Sequence, residues 1–192
     1  KQAPVGADLL KYRLIGMIGG ERKQGAIEVM YAAAVQIAAN NCYTDVKMAF
    51  IYDEKNYDDS QVWRFAKWLP HVWSEDKKIR YVAKDKTEAG EVFYALAEVF
   101  RLRKENPVKS VRRLPKPYYV LFIADPELLE GELISQYLLE PEEEYGVTTL
   151  LLAESYEKLP NACEYLIQKD SDFSGIYCMN GDDSQRQEVL FD

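Results

Sequence analysis

The chain has 192 residues, of which 47% are apolar and 12% aromatic, so it contains enough apolar material for one sizeable core. Charged residues make up 29% of the total, which excludes a wholly disordered chain. Asp and Glu outnumber Lys and Arg by 32 to 24, and the net charge of −8 argues against a nucleic-acid-binding protein, whose affinity depends on Lys and Arg.

Three cysteines and one histidine limit the chemistry available to the chain. Cys42, Cys163 and Cys178 form no CxxC pair and are odd in number, so we expect a reducing compartment rather than a disulfide scaffold. With His71 as its single histidine, the chain is expected to hold no metal. No apolar run approaches the ~20 residues of a membrane-spanning helix, and no signal peptide is visible. Because the chain begins at Lys1 without an initiator Met, we expect it to be a piece of a longer protein.

The first part of the chain predicts a strand, a glycine loop, a helix and a second strand. The apolar run at 12–19 is typical of a buried strand, and it ends in glycines. Apolar residues then recur at helical spacing from Ala26 to Ile37, and Asn40 and Asn41 supply a stop signal. Residues 45–52 predict the second strand, at the distance that a parallel crossover requires.

Strands and helices continue to alternate along the rest of the chain. A short helix is predicted at 60–69, and the clearest helix spans 87–105 with Thr87 as a candidate cap. The remaining predicted elements are strands at 79–83, 117–124, 147–153, 163–168 and 173–179, a helix at about 127–139, and loops at 107–117 and 140–144. This pattern predicts an α/β domain with a mainly parallel sheet, helices on both faces and an antiparallel edge. We therefore predict one domain over 1–192, with its core at about 10–180.

The glycine loop has the spacing of a phosphate-binding loop but lacks its chemistry. The Walker A pattern GxxxxGK[ST] needs two glycines separated by four residues, which Gly20 and Gly25 supply. Ala26 and Ile27 then replace the lysine that reaches the phosphates and the hydroxyl that binds Mg²⁺. Backbone N–H groups and Lys23 could still attract an anion, but we favour a glycine turn that connects strand to helix.

A second partial motif follows the apolar run at 117–124. Asp125 stands where a phosphate-loop ATPase has a metal-binding acid, but Pro126 takes the place of the glutamate that positions water, and Glu127 comes one residue later. We favour Asp125 as the N-cap of a helix that begins at Pro126. The carboxylate pair at 53–54 is interpreted as solvated loop charge.

All three tryptophans of the chain fall within eleven residues. Trp buries a large apolar area and is also enriched at binding hot spots, so core and interface are both open interpretations of this segment. We predict that part of it is a docking surface, in which Pro70 ends the helix and sends His71 and Trp73 out along a loop. The candidate interaction residues are Trp63, Trp68, His71 and Trp73, with Trp73 as the favoured anchor.

These elements, in this order, resemble the motor fold of the FtsK/SpoIIIE ATPases without its catalytic residues. Three stretches, AAVQIAANNCYTDVKMAFIYDE, FAKWLPHVW and DPELLEGELISQYL, resemble the segment that precedes the first motor domain in the membrane-bound ATPase of type VII secretion systems. This is the EssC/EccC family, and the Firmicute EssC branch fits best. The resemblance covers about 10–180, and FAKWLPHVW is its most specific part.

The resemblance implies a P-loop-ATPase-like, RecA/FtsK-like fold at the cytoplasmic face of the cell membrane, within a parent chain that has transmembrane helices and several motor domains. It implies that the partners are other domains of the secretion ATPase and membrane components of the complex, with a homo-oligomer in the full assembly. ATP and Mg²⁺ belong to the parent's motor domains. No cofactor is expected in this domain, because Ala26 and Ile27 do not match the family's phosphate loop.

Three functions remain open at this stage. The first is a catalytically inactive coupling module that relays the state of the motors to the membrane channel. The second is a weak or regulatory nucleotide-binding ATPase that uses Gly20 to Gly25, Lys23 and Asp125. The third is a flavodoxin-like binder of an anionic small molecule at the same edge of the sheet. We favour the first and expect no ATPase activity, even in a variant that restores Lys and Thr at positions 26 and 27.

Overall fold

The computed structural model describes residues 6–55, 61–107, 114–139, 144–163, 165–178 and 187–191. Within these ranges one sheet contains all the named strands, in the spatial order β3-β2-β4-β5-β1-β6-β7-β8. The strands are β1 (Leu14–Ile18), β2 (Val46–Ile51), β3 (Val82–Ala83), β4 (Tyr118–Ile123), β5 (Val147–Ala153), β6 (Tyr165–Lys169), β7 (Ser174–Cys178) and β8 (Gln187–Glu188). Strands β1 to β6 pair in parallel, whereas β7 and β8 form an antiparallel edge, so the predicted sheet is confirmed.

Helices connect these strands and cover the sheet. The α-helices are α1 (Gln24–Asn40), α2 (Lys86–Glu105) and the single turn α3 (Ser135–Leu138). Short 3₁₀ turns lie at Ala66–Trp68, Pro70–Val72, Pro126–Leu129 and Tyr156–Lys158. None of the helices in the described ranges is long and apolar enough to cross a membrane.

Two apolar cores lie on the opposite faces of the sheet. One contains Met30 of α1 and Trp63, and the other contains Phe100 of α2. Every residue of β4 and β5 is buried, as parallel strands covered on both faces require. This double cover explains why these two strands were predictable from continuous apolar runs.

Two predicted helices and one predicted cap differ from the structure. The helix predicted at 60–69 is helical at 61–63 and then becomes a 3₁₀ turn. The helix predicted at 127–139 is split into a 3₁₀ turn and α3, because Gly131 adopts φ 78°, outside the helical region. Asp85, not Thr87, caps α2 through a 2.8 Å hydrogen bond from the N–H of Glu88. The predicted loops at 107–117 and 140–144 lie partly outside the described residues.

The topology places the loops after β1 and β4 at the same edge of the sheet. Both strands are parallel to β5, which lies between them, so their carboxyl ends point in one direction. Ligands of open α/β sheets bind at this edge. The glycine loop and Asp125 are therefore neighbours in space although about a hundred residues separate them in sequence.

Replacement of Phe100 by Ala should lower the free energy of unfolding by about 3–5 kcal/mol, because it opens a cavity in a packed core. The ring of Phe100 is fully buried and lies 5.6 Å from the ring of Tyr119. Tyr94→Ala is the matched control, since Tyr94 lies on the same helix and is exposed, and it should change stability little. Chemical denaturation of both variants measures the difference, and equal losses would contradict the assignment of the core.

Candidate functional site

The glycine loop is held closed by hydrogen bonds to the protein itself. The N–H groups of Gly19 and Gly20 donate to the carbonyls of Ala153 and Glu154 after β5, at 3.1 and 3.0 Å. The N–H of Lys23 donates to the carbonyl of Gly20 at 3.0 Å and closes a tight turn. A phosphate loop binds its anion with such N–H groups, and three of them are already used here.

The glycine spacing is explained by backbone packing. Gly20 has φ 72°, a conformation that favours glycine over residues with a Cβ. A Cβ on Gly25 would lie 2.5 Å from the carbonyl oxygen of Lys169, at the end of β6. Both glycines are thus required by the tight connection from β1 to α1, with no bound phosphate needed to account for them.

Lys23 turns from the glycine loop towards Asp125. It adopts φ 53° at the N-cap position of α1 and is only 4% exposed. Its Nζ donates to Oδ2 of Asp125 at 2.8 Å and to the carbonyl of Ala124 at 3.0 Å. The ammonium group therefore connects the loop after β1 to the loop after β4, at the edge where a phosphate-loop ATPase binds phosphate and metal.

Asp125 uses both of its carboxylate oxygens within the protein. Oδ2 accepts from Lys23, and Oδ1 accepts from the N–H of Glu127 at 2.9 Å. The predicted N-cap role is thus present, although Pro126 opens a 3₁₀ turn in place of an α-helix. In the part of the chain that the structure describes, no group of three or more His, Cys, Asp or Glu side chains could hold a metal ion.

The two residues that replace the Walker A lysine and hydroxyl belong to the core. Ala26 and Ile27 are fully buried and pack in the apolar cluster that contains Met30. A lysine at position 26 would place its charge in this cluster. In contrast, the carboxylates at 53–54 are in or near solvent, and Glu54 lies 3.6 Å from Lys84 across an exposed pair.

The aromatic segment divides into buried and exposed residues. Trp63 is 2% exposed, and its ring lies 5.5 Å from that of Phe50, so it belongs to the core. Trp68 is 80% exposed, and Trp73 is half-buried beneath Arg80, whose guanidinium lies 4.4 Å from the ring. Among the three tryptophans, Trp68 is thus the one that is accessible to a partner.

The prediction that His71 projects along a loop is wrong. His71 is buried, and its Nε2–H donates to the carbonyl of Asn41 at 2.9 Å. Pro70 begins a second 3₁₀ turn that directs the chain back, where the N–H of Tyr81 bonds to the carbonyl of Val72. His71 therefore joins the end of α1 to this turn, which is a structural role.

Sequence reasoning assigned Lys23 and Asp125 to one candidate nucleotide site but did not predict that the two side chains pair with each other. Arg22 is an equally basic neighbour in the same loop, and nothing in the sequence distinguishes the two. Lys23 pairs with Asp125 because its backbone adopts a positive φ and because the strand order places the loops after β1 and β4 side by side. Neither feature has a local sequence signal.

Comparison with known proteins identifies relatives along most of the chain. The EccC protein of the ESX secretion system of Geobacillus thermodenitrificans is 28% identical over 169 residues, which cover 88% of this chain. YukB of the ESX secretion system of Bacillus subtilis is 26% identical, and the type VII secretion protein EssC of Staphylococcus aureus is 24% identical, each over 91% of this chain. The chain spans about 11–12% of the length of these relatives. No protein-family model matches it.

Solved structures of the same secretion proteins share the fold. A structure of ATPases 2 and 3 of EssC from Geobacillus thermodenitrificans has a TM-score of 0.59 at 15% identity and covers 81% of this chain and 32% of its own. ATPases 2 and 3 of Thermomonospora curvata EccC, in complex with a signal sequence peptide, have a TM-score of 0.60 at 12% identity and cover 97% of this chain and 35% of their own. The resemblance to the EssC/EccC type VII secretion ATPases and to their ATPase fold is confirmed.

A double-mutant cycle tests the Lys23–Asp125 pair. Asp125→Ala leaves a buried ammonium with only a carbonyl partner, so it should lower the free energy of unfolding by about 2 kcal/mol or more. Lys23→Met should cost less, because Asp125 is partly exposed and water can solvate it. The double variant should therefore be more stable than Asp125→Ala alone.

Chemical denaturation of the three variants measures the cycle. Glu98→Ala is the control, because it breaks an exposed ion pair with Arg101 on the surface of α2 and should have little effect. Strictly additive losses for Lys23→Met and Asp125→Ala would show that the two side chains do not interact in solution.

Proposed function

We propose that this chain is a catalytically inactive, ATPase-like coupling module of a type VII secretion ATPase. The observation that supports the proposal is the 2.8 Å ion pair between Lys23 and Asp125. The pair joins two side chains of the domain itself at the edge of the sheet where a phosphate-loop ATPase binds phosphate and metal. A domain closed in this way transmits force or conformation between its neighbours without a nucleotide cycle of its own.

Hydrolysis of ATP needs positioned cations and an oriented water, and the closed site supplies neither. Phosphoryl transfer relies on a phosphate-loop lysine and Mg²⁺ to stabilise charge in the transition state. The Lys23 ammonium is bonded to Asp125, and Pro126 replaces the glutamate that would orient water. Restoring lysine and threonine at the buried positions of Ala26 and Ile27 would disturb the core before it produced a site.

Regulatory nucleotide binding is the second candidate function, because the same ion pair places a cation and a carboxylate at the ligand edge of the sheet. A nucleotide could attract the Lys23 ammonium and leave Asp125 free to bind its Mg²⁺. This step requires breaking a bond to a buried cation and releasing the N–H groups of the glycine loop. The cost of that opening makes the inactive module our first choice.

The relatives suggest the cellular setting of the module. We place it at the cytoplasmic face of the membrane, between the membrane and the motor domains of a longer secretion ATPase. Its partners would be those motor domains and membrane components of the complex, within a homo-oligomeric assembly. ATP and Mg²⁺ would act in the motor domains, with no cofactor in this domain.

Isothermal titration with Mg·ATP and with Mg·ADP should give no binding signal up to roughly 1 mM nucleotide. The reason is that nucleotide must first separate Lys23 from Asp125. Binding tighter than about 100 µM that disappears in Lys23→Met would establish the nucleotide-binding alternative. Turnover that disappears in Asp125→Ala, provided that this variant is folded, would establish an ATPase.

The coupling role predicts that an exposed tryptophan affects secretion and not folding. In the complete secretion ATPase, Trp68→Ala should strongly reduce secretion, while the melting temperature of the isolated domain stays nearly unchanged. Trp63→Ala is the comparison, since it creates a core cavity and should lower both the secretion and the melting temperature. If no tryptophan separates secretion from stability, the segment is purely structural and the docking role is wrong.

A further inference from the structure

A pocket of about 670 Å³ lies beside the amino-terminal end of β2. This is the edge of the sheet opposite to Lys23 and Asp125, so the pocket is independent of the glycine loop. Its walls come from the approach to β2 and from the aromatic segment: Tyr43, Thr44, Lys47, Trp68, Leu69, Pro70, Trp73, Ser74, Glu75 and Lys77.

Lys47 lies in the wall of this pocket, and most of its side chain is covered. The residue is 6% exposed, yet within the described ranges its ammonium has neither a hydrogen bond nor an ion pair. Its Nζ lies 5.6 Å from the centre of the Tyr43 ring. Burial lowers the pKa of Lys47, while the nearby carboxylate of Glu75 acts in the opposite direction. An ammonium group without an ion pair at the wall of a pocket can pair with an anion that enters the pocket.

The surroundings of Lys47 are also basic, although the whole chain carries a net charge of −8. Lys77 lines the pocket together with Lys47, and among the described lining residues Glu75 is the only carboxylate. Lys67 lies 5.2 Å from the ring of Trp68, and Arg80 covers the ring of Trp73. The charge of the pocket therefore complements an acidic ligand.

The apolar part of the pocket predicts that the ligand also carries an apolar group. Trp68 and Trp73 provide large aromatic surfaces next to the charged wall, and Trp68 is mostly exposed at the rim. Small-molecule sites enclose most of their ligand, whereas here the apolar surface continues outside the pocket. Exposed tryptophan beside a pocket is typical of contacts with another protein.

We propose that this pocket binds a peptide segment of a partner protein in which a carboxylate side chain lies close to a bulky apolar side chain. The carboxylate pairs with the ammonium of Lys47, and the apolar side chain packs against Trp68 and Trp73. This inference names the chemistry of the partner for the docking role proposed above and rests on that role. It does not depend on whether the glycine loop binds nucleotide.

Selection from a phage-displayed library of random peptides tests the chemistry of the ligand. The 192-residue chain is immobilised, and enriched peptides are sequenced. They should carry Asp or Glu within a few positions of Phe, Trp, Tyr, Leu or Ile. No enrichment over the empty support, or enrichment of basic peptides, would overturn the inference.

Variants then locate the binding site with the most enriched peptide as a fluorescent probe. Lys47→Met should weaken binding by about tenfold or more, while the melting temperature stays nearly unchanged, because methionine keeps the covered part of the side chain and removes an ammonium that has no ion pair. Trp68→Ala should weaken binding similarly without loss of stability. Tyr94→Ala is the control on a distant exposed aromatic, and it should bind normally.

The results also separate this inference from the coupling role. Peptide binding that Lys47→Met and Trp68→Ala leave intact would overturn the inference, and so would an aromatic carboxylic acid that binds as tightly as the peptide. In either case a loss of secretion in Trp68→Ala would still support coupling. Peptide binding at the pocket with normal secretion in Trp68→Ala would support the pocket and contradict the coupling role.

Discussion

An ion pair between a buried lysine and a partly exposed aspartate connects two loops at the carboxyl edge of the sheet. Lys23 reaches from the glycine loop to Asp125 and holds together the loops that follow β1 and β4. The pair satisfies the cation and the carboxylate that a nucleotide and its metal would otherwise need. The fold of the ATPase domains is thus present while side chains of the domain itself lie at its ligand edge, and the coupling role that we propose depends on this arrangement.

The two edges of the sheet, at the carboxyl and amino ends of its parallel strands, differ in the contacts that their lysines make. Lys23, at the carboxyl edge, is buried and donates to two acceptors, whereas Lys47, at the opposite edge, lines a pocket and has no hydrogen bond or ion pair among the described residues. Breaking the Lys23 pair would leave a buried charge without its counter-ion, whereas the Lys47 ammonium is available to an anion from outside. We therefore propose ligand binding at the aromatic pocket, whereas the glycine loop is closed by contacts within the domain.

Much of the fold could be predicted from sequence, because strands buried on both faces are continuous apolar runs. The contacts within the candidate sites were harder to predict, since they join residues that are distant in sequence. Trp63 and Trp68 are both tryptophans of one segment, and only tertiary packing places Trp63 in the core and Trp68 at the surface. The sequence contains no local pattern that marks Lys47, because the pocket that it lines is formed by two separate segments of the chain.

The ammonium group of Lys23 provides the most direct test of the closed loop. A ¹H–¹⁵N correlation spectrum of lysine side chains at neutral pH should contain a slowly exchanging ammonium signal, because this group is buried and hydrogen-bonded. The signal should disappear in Lys23→Met and stay unchanged when Mg·ATP is added in large excess. A Lys23 signal that is absent, or that shifts as nucleotide saturates the domain, would show that the loop is open to a ligand.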